Sequence, residues 1–136
     1  MDRSLVICKP DAVERGLAGE VLRRLEAKGL KLVAVELRVI DAELASRLYA
    51  EHAERGFYAS LVEFIGRSPS LICVVEGAVD TWAMVRRLMG ATNPAEAEPG
   101  TIRGDLASTV AENMVHGSDS TRAAEREIGI FFPSLG

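Results

Sequence analysis

The chain has 136 residues, of which 48% are apolar and 26% charged, with a formal charge of −4 at neutral pH. That length is one ordinary domain with room for a real core, so residues 1–136 are expected to fold as a single unit. The acidic balance argues against a dedicated nucleic-acid binder, which is usually basic, but leaves room for a nucleotide held by a local cationic cluster.

No apolar run approaches the roughly 18–20 residues of a membrane span. Leu5-Val6-Ile7-Cys8 begins a strand too early to leave space for a signal peptide. Cys8 and Cys73 each sit in an apolar, strand-like run, the setting of buried reduced thiols. A cytoplasmic protein is therefore expected.

In chain order, the first strand is Leu5 to Cys8, followed by a turn through Pro10. A helix from about Ala18 to Lys28 carries the apolar stripe Val21, Leu22 and Leu25, with Gly29 where a helix-ending glycine belongs. Residues 31 to 40 alternate, which puts Val33, Val35, Leu37 and Val39 on one face of a strand. Asp41 is placed to cap a helix carrying Leu44, Leu48 and Tyr49, and a second short helix turns Leu61, Val62 and Ile65 inward. Pro69 and Ser70 precede the strand Leu71 to Val75, which Gly77 ends. A helix from about Val79 to Met89 buries Trp82 and Val85.

Residues 90 to 112 then lose all strong periodicity and contain Gly90, Pro94, Pro99, Gly100 and Gly104. An irregular run of about 20 residues in a small domain reads as functional. The chain closes with a short strand to His116, a helix Thr121 to Glu127, and the apolar Ile128-Gly129-Ile130-Phe131-Phe132, which fits either a helix end or an extended packing segment. The pattern is a ferredoxin-like split βαβ of the α+β class, a four-stranded antiparallel sheet covered by helices. That fold hosts many functions and decides none.

Absences narrow the chemistry. The only lysines, Lys9, Lys28 and Lys31, follow Cys8, Ala27 and Leu30, so no Gly-Lys pair exists for a Walker A loop. No Gly-x-Gly-x-x-Gly occurs. Two histidines and the cysteine spacing do not make a Cys/His metal cage, and no protein metal site is expected. Any phosphate must be held by charged side chains and helix termini.

The stretch Asn113-Met114-Val115-His116-Gly117-Ser118-Asp119-Ser120 supplies a candidate. Met114 and Val115 read as the end of a buried strand, and Gly117 frees the backbone where a side chain would obstruct close approach. Ser118, Asp119 and Ser120 offer N-cap chemistry for the next helix, whose first N–H groups suit an anion. His116 is thus held on rigid backbone, and a neutral imidazole is a competent nucleophile toward phosphorus. Its other nitrogen needs a partner, for which Glu127 is the best candidate; which nitrogen attacks stays open. Lys9 projects from the end of the first strand, and Arg86 and Arg103 flank the long loop that holds Thr92. His52, in a polar stretch, reads as solvated.

Lys9-Pro10-Asp11, Gly90-Ala91-Thr92-Asn93-Pro94, Pro99-Gly100-Thr101-Ile102-Arg103-Gly104-Asp105 and His116-Gly117-Ser118-Asp119-Ser120 together resemble the nucleoside diphosphate kinase family, over nearly the whole chain. The resemblance implies ping-pong transfer of a γ-phosphoryl group from a nucleoside triphosphate to a nucleoside diphosphate, through a phosphohistidine on His116 at Nδ1. It gives Glu127 the orienting part and brings Lys9 to the transferring group. It assigns Arg86, Thr92 and Arg103 to the phosphates, Asn113 to the sugar hydroxyls, Tyr49 to the side of His116, and Phe57 to stacking on the base. It also implies Mg²⁺, broad base tolerance and a homo-oligomer, hexameric or tetrameric. Ala12, Gly56 and Arg122 depart from the family's usual glycine, proline and glutamate, and the chain ends soon after Phe132-Pro133, short of the C-terminal extension of some members.

Two rivals stand beside this reading. A ferredoxin-like module could bind nucleotides or RNA without chemistry, yet only 5% of residues are aromatic and the strands lack paired Phe or Tyr. An idle regulatory relative would keep the frame, but every matched site residue is intact.

Overall fold

Leu5-Val6-Ile7-Cys8 and Ile72-Cys73-Val74-Val75 are apolar at every position, a pattern that demands cover on both faces of a sheet. The computed structural model, which describes residues 2–135, gives them that cover, and all eight side chains are fully buried. Strands β1 (Asp2–Cys8), β2 (Lys31–Arg38), β3 (Ser70–Gly77) and β4 (Val115–Gly117) form one antiparallel sheet in the order β2-β3-β1-β4. This is the expected ferredoxin-like α+β sheet.

The connecting helices are α1 (Pro10–Glu14), α2 (Ala18–Ala27), α3 (Ala42–Leu48), α4 (Tyr58–Gly66), α5 (Thr81–Met89), α6 (Ile102–Leu106) and α7 (Thr121–Phe131). Successive strand residues feed opposite cores. Val6, Cys8, Cys73 and Val75 pack with Val21 and Leu25 of α2, Val85 and Met89 of α5, and Ile102 of α6. Leu5, Ile7, Ile72 and Val74 pack with Leu48 of α3, Ile65 of α4, and Ile128 and Phe131 of α7. The two cysteines are free and buried, and burial pushes both thiols well above the usual range. Among the described residues no helix is long and apolar enough to cross a membrane.

Local chemistry sets the element ends. Pro10 takes the first helical position of α1, where its fixed φ and missing N–H cost nothing, and turns the chain sharply off β1. Asp41 caps α3 by accepting the Leu44 N–H at 2.9 Å. Thr101 caps α6, its hydroxyl oxygen accepting the Gly104 N–H at 3.0 Å.

Several expectations change here. A bulge between Leu32 and Ala34 interrupts the period-2 pattern of β2. Val33 therefore packs with Ala34 against the Leu5–Ile7 face, while Val35, Leu37 and Val39 stand 48, 59 and 49% exposed at the sheet margin. Trp82 is only half-buried on α5. The irregular stretch from 90 to 112 holds a one-turn 3₁₀ helix, Pro94–Glu96, and α6. Elements of three and five residues are too short to display a helical period. Arg24 ties this stretch to α2 through Asp105 at 2.8 Å. Residues 128 to 131 prove to be the last turn of α7.

Candidate active site

His116 is the middle residue of β4 and lies opposite Ile7 of β1, so its backbone is fixed by the ladder. Its ring is half-buried, with 22% of the side chain exposed. The next residue can only be small: a Cβ on Gly117 would sit 2.6 Å from Met89 Sδ and 3.1 Å from Val85 Cγ1. Close packing of α5 under β4 thus holds the imidazole at the surface of the sheet.

From α7, Glu127 reaches back to the ring. Its Oε1 lies 2.9 Å from His116 Nε2 and also accepts the Ser118 hydroxyl at 2.8 Å. Although burial raises a carboxyl's pKa, the hydrogen bonds and charge of His116, the Ser118 hydroxyl and nearby Arg126 hold Glu127 below its ordinary value. An ionised acceptor at Nε2 draws the imidazole N–H to that nitrogen and makes Nδ1 the one with the lone pair.

Ser118 does not share in capping α7, contrary to its expected place in the cap. The cap is Ser120, which accepts the Ala123 N–H at 3.0 Å, and Ser118 serves Glu127. Its signal in the sequence was only its place two residues after His116. Tyr49, at the end of α3, is buried, and its phenol is pushed up to about 12 by burial and by the Glu127 charge.

The cations come from other elements. Lys9, between β1 and α1, donates from Nζ to Asn113 Oδ1 at 2.9 Å, and Asn113 Nδ2 donates to the Thr92 carbonyl at 3.0 Å. Lys9, Thr92 and Asn113 are thus brought together. Burial, then the charge of Arg103, lowers the Lys9 ammonium to about 8 against the partial support of Asp11. Arg103 is itself buried, and its guanidinium donates to the carbonyls of Asn113 (3.2 Å), Gly90 (3.1 Å) and Val115 (2.7 Å). It staples the long loop to β4, leaving the remaining Nη hydrogens for a ligand. Arg86 of α5 donates to the Gly117 carbonyl at 3.1 Å, and its charge helps lower Arg103 to about 10.

Phe57 stands apart from these contacts. It is 47% exposed ahead of α4, with the His52 ring at 5.9 Å and the Arg55 guanidinium 5.9 Å above its face. His52, expected to be solvated, is half-buried between Tyr49 and Phe57, with Nδ1 buried and unbonded. Its neighbours Glu51, Ala53 and Glu54 are polar or small, and the rings that cover it stand at Tyr49 and Phe57. Of the departures from the family pattern, Ala12 is buried in α1, Gly56 has open space around it and Arg122 is exposed on α7. Among the described residues no group of three His, Cys, Asp or Glu gathers as a metal cage would require.

A ferredoxin-like sheet that presents a carboxylate-tethered histidine beside one lysine and two arginines defines a histidine-dependent phosphotransfer domain. Comparison with known proteins narrows this. The family model for nucleoside diphosphate kinase matches residues 2–135, and the chain belongs to that family. It is 54% identical over 134 residues to the nucleoside diphosphate kinase of Thermomicrobium roseum, covering 97% of this chain and 88% of that one. The Corynebacterium glutamicum enzyme is 54% identical over 137 residues, with 98% of each chain covered. Among solved structures, a halophilic nucleoside diphosphate kinase from Halobacterium salinarum in complex with CDP superposes with a TM-score of 0.93 at 47% identity, over 96% of this chain and 87% of that one.

Proposed function

We propose that His116 is the nucleophile that carries the phosphoryl group between nucleotides. The observation that carries this reading is the 2.9 Å contact between Nε2 and Glu127, which leaves the Nδ1 lone pair as the attacking one. In the first half-reaction Nδ1 attacks the γ-phosphorus of a nucleoside triphosphate. The bond to the bridging oxygen breaks and the nucleoside diphosphate leaves with that electron pair. In the second, a terminal oxygen of another diphosphate takes the group back, restoring the neutral ring. The Nε2–H stays in place throughout, and the Glu127 charge offsets the positive ring of the intermediate. One site serves donor and acceptor in turn, so γ-phosphoryl groups pass from any triphosphate in excess to a diphosphate, maintaining both nucleoside and deoxynucleoside triphosphate pools.

Lys9, Arg86 and Arg103 supply the charge that phosphoryl transfer needs. Thr92 joins them at the phosphates, Asn113 takes the sugar hydroxyls when Lys9 turns to phosphate, and the exposed Phe57 face stacks on the base without reading its edge. The gathered side chains are cationic, and the nearby Asp11 carboxylate is engaged with the Met114 N–H. A Mg²⁺ ion would come with the nucleotide rather than from a protein cage, and would lower the negative charge of the phosphates that Lys9, Arg86, Arg103 and Thr92 hold.

The whole chain acts as one domain, and its buried free thiols suit the reducing cytoplasm. Strand β2 closes one side of the sheet with Val35 and Leu37 exposed, and a second copy of the chain is the partner for that margin. Leu37→Glu should then shift light-scattering mass toward the monomer; an unchanged mass moves the oligomer contact elsewhere.

The test of the chemistry uses γ-labelled ATP with Mg²⁺, followed by a GDP chase, alongside His116→Ala. Acid-labile label on the wild type alone, moving to GTP, supports the reading. A folded protein that takes no label and makes no GTP refutes it and returns the binding-module alternative.

A further inference from the structure

Met114 joins Asn113 to the His116 strand in an unusual conformation. Its φ is +72°, one of only two positive values at non-glycine residues among those described. The Val115 N–H donates to the Asn113 carbonyl at 2.9 Å across it, closing a three-residue turn of the strained, positive-φ kind. Surroundings must hold such a residue. Here both of its backbone polar groups are tied to one short segment. The Met114 carbonyl accepts the Lys9 N–H at 2.8 Å, and the Met114 N–H donates to Asp11 Oδ2 at 3.0 Å.

Asp11 is 2% exposed, and its other oxygen, Oδ1, is buried without a hydrogen-bond partner. Burial, with Glu112 adding to it, raises this carboxyl above its ordinary value against the pull of Lys9. A buried carboxylate left half-satisfied is not what packing alone would retain, since an apolar residue of similar size is usually tolerated better there.

We propose that Asp11 is a positioning residue for phosphotransfer. Through the Met114 N–H it locks the tight turn that aims Asn113 at Lys9 and starts β4 with His116 opposite Ile7. The proposal rests on the phosphotransfer reading above and adds a residue that touches no substrate. One carboxylate thereby couples cation and nucleophile. Its charge also favours the Lys9 ammonium, which Arg103 and burial disfavour, with Glu112 the further acidic group facing Asp11.

The test compares Asp11→Ala, which removes acceptor and charge, with Asp11→Asn, which keeps an oxygen for the Met114 N–H and removes only charge. Asp11→Ala is expected to lose at least about tenfold in kcat and in the rate of phosphohistidine formation, with KM moved less. Asp11→Asn is expected to recover to within about threefold at neutral pH while its alkaline limb moves to lower pH. A readout independent of catalysis is the Nζ titration of Lys9 by ¹⁵N NMR in the nucleotide-free protein. The chain has three lysines, and Lys9 is the signal lost in Lys9→Arg.

Both Asp11 variants should move that titration down. Wild-type kcat in a folded Asp11→Ala overturns the proposal. So does an equal fall in Tm for both variants with the Lys9 titration and alkaline limb unmoved, the signature of a merely structural carboxylate. If Asp11→Ala does not fold, Asp11→Asn decides, and an unshifted Lys9 refutes the coupling. Failure of wild-type protein to label on His116 would sink the phosphotransfer reading separately, because the Lys9 titration still reads the Asp11 link.

Discussion

Removing the Glu127 carboxylate isolates what orientation of His116 is worth. Oε1 takes two hydrogen bonds, at 2.9 Å from the ring and 2.8 Å from Ser118, and the side chain is only 5% exposed, so water cannot replace it freely. A hydrogen bond to an ionised partner contributes about 1.5–3 kcal/mol, against about 0.5–1.5 for a neutral one. That contribution is felt most when the ring becomes positive in the phosphorylated state. At about 1.4 kcal/mol per decade, Glu127→Ala should lower kcat by about 10- to 150-fold. Glu127→Gln keeps a neutral acceptor and should lose only about 5- to 15-fold. Rapid-quench measurement of phosphohistidine formation, with circular dichroism melts to establish folding, separates chemistry from stability. A folded Glu127→Ala within about twofold of wild type would show that the carboxylate does not orient the nucleophile.

Lys9, lowered from an ordinary 10.5 to about 8, gives activity and stability opposite trends over one window. As pH rises through about 8 the nucleotide-free site loses its ammonium and kcat/KM should fall. Over the same span the unfolded chain binds more protons at Lys9 than the folded one, so this group's contribution to stability rises with pH. Urea melts of wild type against Lys9→Met between pH 7.5 and 10.5, about the span of the shift, check the second half, and parallel curves refute it. Gly117→Ala forces a Cβ to within 2.6 Å of Met89 Sδ. Overpacking of this kind costs about 1–3 kcal/mol, so a fall in Tm of about 2–10 °C is expected, and an unshifted melt would mean that α5 gives way.

Residue order alone exposed the sheet, because Leu5–Cys8 of β1 and Leu71–Val75 of β3 are short, wholly apolar runs and only two-sided burial explains them. It misjudged β2, since a bulge changes the facing of side chains without leaving a mark in composition. The chemistry-bearing residues were legible by type: a histidine with a downstream glutamate, a lysine after a strand, arginines around a loop. Their connections were not. That Arg103 spends donors on three carbonyls, that Ser118 leaves the helix cap for Glu127, and that His52 is wedged between rings all depend on how irregular backbone folds back on near neighbours in the chain, a path that residue types do not encode by any period. Residue types announce chemistry, whereas backbone carbonyls as partners are invisible until the chain is folded.

Lys9 meets Asn113 across 104 positions and Asp11 meets Met114 across 103. Glu127 comes later still. During synthesis the first strand and its lysine therefore leave the ribosome long before either partner exists. Chains arrested ahead of Asn113 lack the partners of Lys9 and Asp11 together with His116 and Glu127. The site is thus complete only when the last strand and helix have closed on the first, because β4 and α7 carry His116 and Glu127.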